Sequence, residues 1–278
     1  MLIAQITDLH VRPPGMTANG FVEVNAMLEA AVASLLSQTR APDLVLATGD
    51  LTDNGLIEEY QELRRILAPL PMPVYLIPGN HDRRENIRAV FPDHGYLPGA
   101  GFLQYVVDGW PVRLIGLDSV IAGRTEGELC ADRLTWLDRT LAEAPDRPTV
   151  IFMHHPPFDT GILAMDRIKC GGGEAMAEVV RRHPNVERVL CGHHHRPIQR
   201  RWAGTMGSIA PSTAHQVMLN FIDAQDSRIR MEPPGYHLHL WTAGSGLITH
   251  MAYVDDFGGP FDFISDPAYP ALEADARG

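Results

Sequence analysis

Hydrophobic and polar positions along the chain follow two different patterns, short apolar runs and a helical periodicity. Short aliphatic and β-branched runs predict buried strands over residues 2–7, 43–50, 73–80, 112–119, 148–155 and 186–193. Between several of these runs the apolar positions recur at helical spacing, which predicts helices over 22–36, 56–67, 133–144 and 174–182. This order of strands and helices predicts a layered α/β domain.

After residue 196 the sequence shows strand-like stretches and no further helical pattern. Strand-like stretches follow at 198–203, 236–242 and 247–254, and a segment containing proline and serine separates the first from the other two. We therefore expect four parts, which are an α/β domain over 1–208, a cap or insertion over 209–235, returning strands of the main domain over 236–256, and a C-terminal arm over 257–278.

Composition narrows the class of protein. A chain of 278 residues that is 45% hydrophobic can bury a sizeable core, and its formal net charge of −11 argues against a protein that binds long nucleic acids without sequence preference. The three cysteines suggest neither a disulfide framework nor a thiolate zinc site. No export leader or membrane-spanning run is apparent, so we expect a cytoplasmic protein that does not contact a membrane.

Polar side chains collect where the predicted strands end. The stretches are TDLH, TGDLTDNG, PGNHD, FMHHPP and CGHHHRP. The carboxyl ends of strands in α/β sheets form the crevice in which ligands bind. Each stretch alone has a simpler explanation, such as a solvated strand end, a turn or a strand terminator. Their occurrence at five successive strand ends predicts a single site.

The set resembles the calcineurin-like metallophosphoesterase superfamily, whose pattern is D-x-H, G-D, G-N-H-[DE], H and G-H-x-H. The resemblance covers residues 1 to roughly 200. Within the superfamily, the stretches GFVEVN, PVYLIPGNHD, IFMHHPP and TAHQV are similar to the class III cyclic-nucleotide phosphodiesterase group, and most similar to its bacterial glycerophosphodiesterase branch. The resemblance implies a layered α/β/β/α sandwich with a small cap.

The resemblance also implies two divalent metal ions. One would be held by Asp8, His10, Asp50 and His195, and the second by Asp50, Asn80, His154 and His193, so that Asp50 bridges both. All of these ligands are nitrogen or oxygen donors, which suit iron, manganese, zinc or cobalt. Two metal ions about 3.5–4 Å apart that share a bridging carboxylate are typical of enzymes that hydrolyse phosphate esters.

Side-chain alternation separates the neighbouring histidines. On an extended backbone, residues two apart share a face, so Asp8 and His10 are expected to point the same way, as are His193 and His195. His194 is then expected to point away and to serve packing. By the same argument His155 is structural beside His154, and Cys191 is a buried strand cysteine.

Further residues are candidates for catalysis and substrate binding. By analogy with the family, His81 donates a proton or hydrogen bond to the substrate and Asp82 orients it. Asn80 and His81 are expected to face the phosphate. His215, in the expected cap, and Asn19 and Phe21, in the loop after His10, are expected to line the pocket, although His215 could equally be a core or surface histidine.

The function that the sequence favours is hydrolysis of small phosphodiesters, either glycerophosphodiesters or cyclic nucleotides. Two alternatives remain, a phosphomonoesterase or nucleotide phosphatase on the same site, and a non-catalytic binding scaffold on the same fold. The arm carries apolar side chains with few charges nearby, so we also expect a homo-oligomer, whether a dimer, a trimer or a hexamer. These side chains are Phe257, Phe261, Phe263, Ile264 and Tyr269.

Overall fold

Two β-sheets pack face to face between two layers of helices in a computed structural model that describes residues 1–261. The elements, in chain order, are β1 (Leu2–Ile6), α1 (Val24–Leu36), β2 (Leu44–Thr48), α2 (Ile57–Leu67), β3 (Val74–Ile77), α3 (Arg84–Val90), β4 (Tyr105–Val107), β5 (Arg113–Leu117), β6 (Gly127–Glu128), α4 (Ala131–Ala142), β7 (Thr149–Met153), α5 (Leu163–Asp166), β8 (Cys170–Gly171), α6 (Gly173–Arg181), β9 (Val186–Cys191), β10 (Ile198–Trp202), β11 (Thr205–Ile209), β12 (Gln216–Val217), β13 (Ile229–Arg230), β14 (Gly235–Thr242) and β15 (Gly246–Tyr253).

Each sheet has a parallel core of strands, with antiparallel strands at one edge of the first sheet and at both edges of the second. The first sheet has the order β15-β14-β1-β2-β3, in which β1, β2 and β3 are parallel and β14 runs antiparallel to β1. The second has the order β10-β11-β9-β7-β5-β4, in which β11, β9, β7 and β5 are parallel. The parallel strands of each sheet therefore end at a common edge.

Alternation along the strands divides the core into three layers. Ile3, Leu46, Phe152 and Leu190 meet between the two sheets. Residues of the opposite parity on the first sheet pack under α1 and α2, and those on the second sheet pack under α4 and α6. Burial of these apolar faces is the main force that holds the layers together. The expected α/β/β/α sandwich is confirmed.

Several element bounds differ from the sequence-based prediction. The predicted strands 43–50, 73–80, 148–155 and 186–193 end two or three residues early, before the polar side chains, because the backbone turns at each of these points. Helix α3 follows the GNHD stretch and was missed, since its seven residues are too few to display helical periodicity. Strand β11 was also missed, although it pairs with β10 as a hairpin.

The expected cap contains little regular structure. Between Ile209 and Gly235 the only pairing is the short ladder of β12 with β13. Of the arm, Phe257 and Phe261 are exposed at 67% and 85%, whereas the predicted contacts of Phe263, Ile264 and Tyr269 lie outside the described residues. Within residues 1–261, no helix has the length and apolar character that a bilayer crossing requires.

Candidate metal centre

Seven polar side chains converge at the edge where the parallel strands of both sheets end. The first sheet contributes the residues that follow β1, β2 and β3, and the second contributes those that follow β7 and β9. Six of the seven are buried and Asn80 is half-buried. The residues are Asp8, His10, Asp50, Asn80, His154, His193 and His195. The structure thus brings together every ligand that the sequence predicts.

One group of donors comprises Asp8, His10, Asp50 and His195, with ligand atoms within 4.8 Å of one another. The Nε2 atoms of His10 and His195 lie 3.3 Å apart. Asp8 Oδ1 is 3.4 Å from His195 Nε2, and Asp50 Oδ2 is 3.7 Å from His10 Nε2. Four donors around one point match the coordination of a divalent ion.

A second group surrounds His154. Its Nε2 atom lies 3.2 Å from Asn80 Oδ1 and 3.3 Å from Asp50 Oδ2. The ring of His193 lies 5.1 Å from the ring of His154, and the two imidazoles can approach one ion. Asp50 belongs to both groups, as a bridging carboxylate must.

The outward ring nitrogens show why these groups fit cations. His10 donates from Nδ1 to Asp53 Oδ1 at 3.3 Å, His154 from Nδ1 to the Thr48 carbonyl at 2.8 Å, and His195 from Nδ1 to the His215 carbonyl at 3.0 Å. His193 donates from Nε2 to the Ile168 carbonyl at 3.1 Å. In its neutral form each ring turns a lone pair inward, and the opposed lone pairs of His10 and His195, 3.3 Å apart, repel one another unless a proton or a metal ion lies between them.

The charges of the cluster demand positive charge as well. Burial raises the pKa of the Asp8 carboxyl to about 6, and the neighbouring charge of Asp50 adds to the rise. Burial disfavours protonation of His154, yet the carboxylates of Asp50 and Asp8 raise its pKa to about 9. Two buried carboxylates thus hold a proton on an imidazole, and a divalent ion would take its place.

The backbone at the ligands differs from the sequence-based prediction. The φ angles of Asp8, His10, Asp50, His193 and His195 are +53°, +47°, +46°, +69° and +51°. These residues are left-handed, so the expected extended backbone was wrong, although the side chains do meet. A non-glycine residue in this region costs on the order of 1 kcal/mol or more, and such strain clusters at functional sites.

His81 lies beside the predicted metal ligands with its ring partly exposed. Its backbone N–H donates to Asp50 Oδ1 at 3.0 Å, and its Nδ1 donates to the Asp53 carbonyl oxygen at 2.7 Å. The side chain is 38% exposed, and the ring centroid is 4.7 Å from that of His10. Among residues 1–261 the second nitrogen, Nε2, has no hydrogen-bond partner and can face a substrate.

Asp53 joins the ligands to His81 and was missed by the sequence reasoning. Its carboxylate accepts from His10 Nδ1 and, at 3.2 Å, from Arg12 Nη1, while its carbonyl oxygen orients His81. Asp53 follows Asp50 by three residues in the same loop, and this position could have indicated from the sequence that it lies at the site.

Asp82 does not orient His81, contrary to expectation. Its carboxylate accepts the backbone N–H groups of Gly79, Leu51 and Thr52 at 2.8, 2.9 and 3.2 Å. It also accepts the hydroxyls of Thr52 at 3.2 Å and Tyr60 at 2.8 Å. These five donors account for both oxygens, so Asp82 fastens the loop after β2 to the loop after β3.

The expected substrate-binding residues divide into two groups. His215 is buried with its ring 4.8 Å from that of His195 and 5.6 Å from that of His10, so it lies at the cluster. Asn19 and Phe21 are exposed, Phe21 at 60%, and within residues 1–261 no side-chain hydrogen bond joins Asn19 to the cluster. Their place in the pocket stays a prediction.

The comparisons with known proteins agree with this geometry. A family model described as calcineurin-like phosphoesterase matches residues 1–197. The chain belongs to this family. It is 36% identical over 267 residues to a probable glycerophosphodiester phosphodiesterase, GpdQ, of Arcobacter nitrofigilis, which covers 96% of this chain and 98% of that protein. It is 34% identical over 277 residues to the glycerophosphodiester phosphodiesterase GpdQ of Enterobacter lignolyticus, with 98% of each chain covered.

A third relative is named for a different phosphodiester, cyclic AMP. The 3',5'-cyclic adenosine monophosphate phosphodiesterase CpdA of Escherichia coli is 31% identical over 214 residues, which cover 77% of this chain and 76% of that protein. Among solved structures, a dimetal phosphatase from Danio rerio superposes with a TM-score of 0.68 at 14% identity and covers 92% of this chain and 99% of that chain. This likeness shows the fold alone.

Two further histidines of this phosphoesterase lie next to ligands in the chain. His155 is buried, donates from Nε2 to the Thr125 carbonyl at 3.2 Å and accepts the Ser119 hydroxyl on Nδ1 at 2.8 Å. Both of its ring nitrogens are therefore engaged, although the ring lies near His154 and His193. His194 is buried, with Nε2 3.7 Å from Asp166 Oδ1 and its ring centroid 5.6 Å from that of His193.

Proposed function

We propose that the protein is a dinuclear metal-dependent phosphodiesterase that hydrolyses small phosphodiesters. The observation that carries this proposal is the pair of inward-facing donor groups that share Asp50. Asp8, His10, Asp50 and His195 would hold one ion, and Asp50, Asn80, His154 and His193 the other. Nitrogen and oxygen donors suit iron, manganese, zinc or cobalt.

The ions and the residues around them would have different roles in binding and hydrolysing the diester. Two such ions supply Lewis-acid stabilisation of phosphoryl oxygens and activation of water. His81, whose Nδ1–H is held by the Asp53 carbonyl, would in its imidazolium form present Nε2–H to the leaving-group or phosphoryl oxygen and donate to it. Asn80 adds no charge to its ligand set, which leaves a positive excess for an anionic diester. Asp82 acts only through the backbone that it holds.

The relatives support a diester as substrate. Those named above are called glycerophosphodiester and cyclic-AMP phosphodiesterases, and coverage above 95% of both chains favours the glycerophosphodiester class. A monoesterase or nucleotide phosphatase would use the same ions. A scaffold is the alternative from another class, but it needs no intact ligand set, and here all seven positions hold competent donors.

We also propose that the enzyme is a cytoplasmic homo-oligomer. All three cysteines are free, as is usual in a reducing compartment. The end of β15 and the start of the arm expose Tyr253 at 52% beside Phe257 and Phe261, and this aromatic surface suits an interface. Light scattering at micromolar concentration tests the assembly, and a monomeric mass would contradict it.

A turnover panel tests the function. The metal-free protein is reconstituted separately with manganese, cobalt, zinc and iron. Each form is then assayed with bis(p-nitrophenyl) phosphate, p-nitrophenyl phosphate, cyclic AMP and glycerophosphoethanolamine. We expect metal-dependent hydrolysis of the diesters at a higher kcat/KM than that of the monoester. A preference for the monoester would favour the phosphatase alternative, and no turnover with any metal would favour a scaffold.

A further inference from the structure

A chain of polar side chains crosses the layer between the two sheets, among apolar residues such as Ile3, Leu46 and Leu190. Gln5, on β1, is fully buried, and its Nε2 donates to the Cys191 carbonyl of β9 at 2.9 Å and to Thr48 Oγ1 of β2 at 3.0 Å. Its Oε1 accepts from His239 Nε2 of β14 at 3.1 Å. Every hydrogen-bonding group of this carboxamide is therefore occupied or shared across a strand boundary.

The chain continues to the edge of the first sheet and returns to the second. His239 Nδ1 and Thr249 Oγ1 are 2.8 Å apart, and Arg188 of β9 donates from Nη1 to the same hydroxyl. Because Arg188 can only donate, Thr249 donates to His239, and His239 donates to Gln5. The hydrogen bonds run in one direction from β9 through β15, β14 and β1 back to β9.

This network lies directly behind the metal ligands. Gln5 is three residues before Asp8, and its two acceptors are each two residues before a ligand, since Thr48 precedes Asp50 and Cys191 precedes His193. The Thr48 carbonyl also accepts from His154 Nδ1. Both proposed metal sites combine ligands from the two sheets, so a relative shift of the sheets would open both sites together.

Stability alone does not explain a carboxamide here. A buried amide contributes little net stability when it is hydrogen-bonded, and an apolar side chain would suit a layer that contains Ile3, Leu46 and Leu190. A directional polar chain instead fixes one register between packed layers.

We propose that Gln5 is a positioning residue for the metal centre. Its carboxamide ties the end of β1 to the ends of β2 and β9 and thereby keeps the ligands of the two sheets at bonding distance. The inference rests on the proposed dinuclear site, to which it adds the element that sets the spacing of the ligands.

The test compares Gln5→Met with Tyr236→Phe in the full-length protein loaded with manganese. Tyr236 lies on β14 under α1, where its hydroxyl contacts Gln38 Nε2 at 2.7 Å and Ser34 Oγ at 3.0 Å, on the helix-facing side of the first sheet. Both variants lose buried hydrogen bonds, but only Gln5→Met loosens the link between the sheets. Calorimetric titration with Mn²⁺ gives the two dissociation constants, and paramagnetic resonance gives the exchange coupling between the ions.

We expect Gln5→Met to raise the dissociation constant of the more weakly bound Mn²⁺ by about tenfold and to weaken the exchange coupling, because the ligands of the two sheets would no longer be held at a fixed spacing. This lies at the lower end of the about 10–100-fold that loss of a ligand's direct outer partner costs in affinity. Tyr236→Phe should keep wild-type values for both. Wild-type affinity and coupling in Gln5→Met would overturn the inference, provided that the wild-type protein binds two ions. A wild-type protein that binds fewer than two ions would overturn the proposed function itself.

Thr249→Val keeps the test decisive if Gln5→Met does not fold. This half-buried residue lies at the far end of the chain, and valine cannot donate to His239. A change of severalfold in the same dissociation constant is the expected result. Unchanged binding of both ions in Thr249→Val would contradict a network that positions the ligands.

Discussion

Gly192 lies so close to Thr7 that a Cβ atom on the glycine would come 2.0 Å from Thr7 Oγ1. The same atom would be 3.0 Å from the Thr48 carbonyl oxygen. The end of β9 can therefore approach β1 and β2 only without a side chain. This contact brings the backbone N–H of His193 to Asp8 Oδ1 at 3.0 Å, and thus joins the ligands of the two sheets.

Gly192→Ala should push the two sheets apart at the metal centre. We expect a loss of about 1–3 kcal/mol in the free energy of unfolding, as for other overpacked sites, together with a fall in metal content. Chemical denaturation and elemental analysis measure the two effects. Gly99→Ala is the control, because its Cβ would meet nothing within 4 Å. Equal behaviour of both variants would show that the close approach is dispensable.

Asp53→Asn should weaken the metal site that contains His10. The carboxylate of Asp53 accepts from His10 Nδ1, and asparagine keeps an acceptor oxygen but not the negative charge. We therefore expect a loss near the lower end of the about 10–100-fold that removal of such a partner costs in metal affinity. Glu59→Gln is the matched control, since Glu59 also binds Arg12, at 3.1 Å, but does not contact His10. Competition with a chelator gives the affinities. A stronger effect of Glu59→Gln would place the importance on Arg12 instead.

His81→Ala should keep both metals and lose rate. We expect a fall of about 10²-fold for glycerophosphoethanolamine, whose leaving group needs a proton, and a smaller fall for bis(p-nitrophenyl) phosphate. His250→Ala, on the exposed face of β15, is the control. An equal loss for both substrates would assign His81 to charge stabilisation at the phosphoryl oxygens.

Buried histidines of β14 should make the fold sensitive to acid. Burial and the charge of Arg188 lower the pKa of His237 to about 4, whereas an unfolded histidine titrates near 6.5. The unfolded chain therefore binds more protons between these pH values, so this contribution to stability is complete above pH 6.5 and is lost as the pH falls toward 4.

At pH 5 the loss from His237 is about 2 kcal/mol relative to pH 7.5. Urea unfolding of the wild type and of His237→Gln at both pH values isolates this contribution, because groups that the two proteins share cancel. A wild-type protein whose stability falls no more than that of the variant would show that His237 is not held in its neutral form.

The order of strands and helices predicted a layered α/β domain and one site at the strand ends, whereas the α/β/β/α sandwich and the division of ligands between two ions were implied by the resemblance to the metallophosphoesterases. Parallel strands that are buried on both faces produce continuous apolar runs, and their carboxyl ends share one edge, so Asp8, Asp50, Asn80 and His154 could be placed together from order alone. The left-handed backbone at Asp8 could not be predicted, since only packing of the two sheets stabilises it. The roles of Asp82 and Gln5 depend on partners distant in the chain, which no local pattern reveals.

Metal content of Asp50→Ala tests the central claim most directly. Asp50 is the one side chain that belongs to both donor groups, so its removal should leave one ion or none per chain, whereas the reconstituted wild-type protein should hold two. Elemental analysis after gel filtration counts the ions, and turnover of bis(p-nitrophenyl) phosphate by the same samples should be lost in the variant. Two tightly held ions in Asp50→Ala, or fewer than two in the wild type, would contradict a dinuclear centre bridged by Asp50.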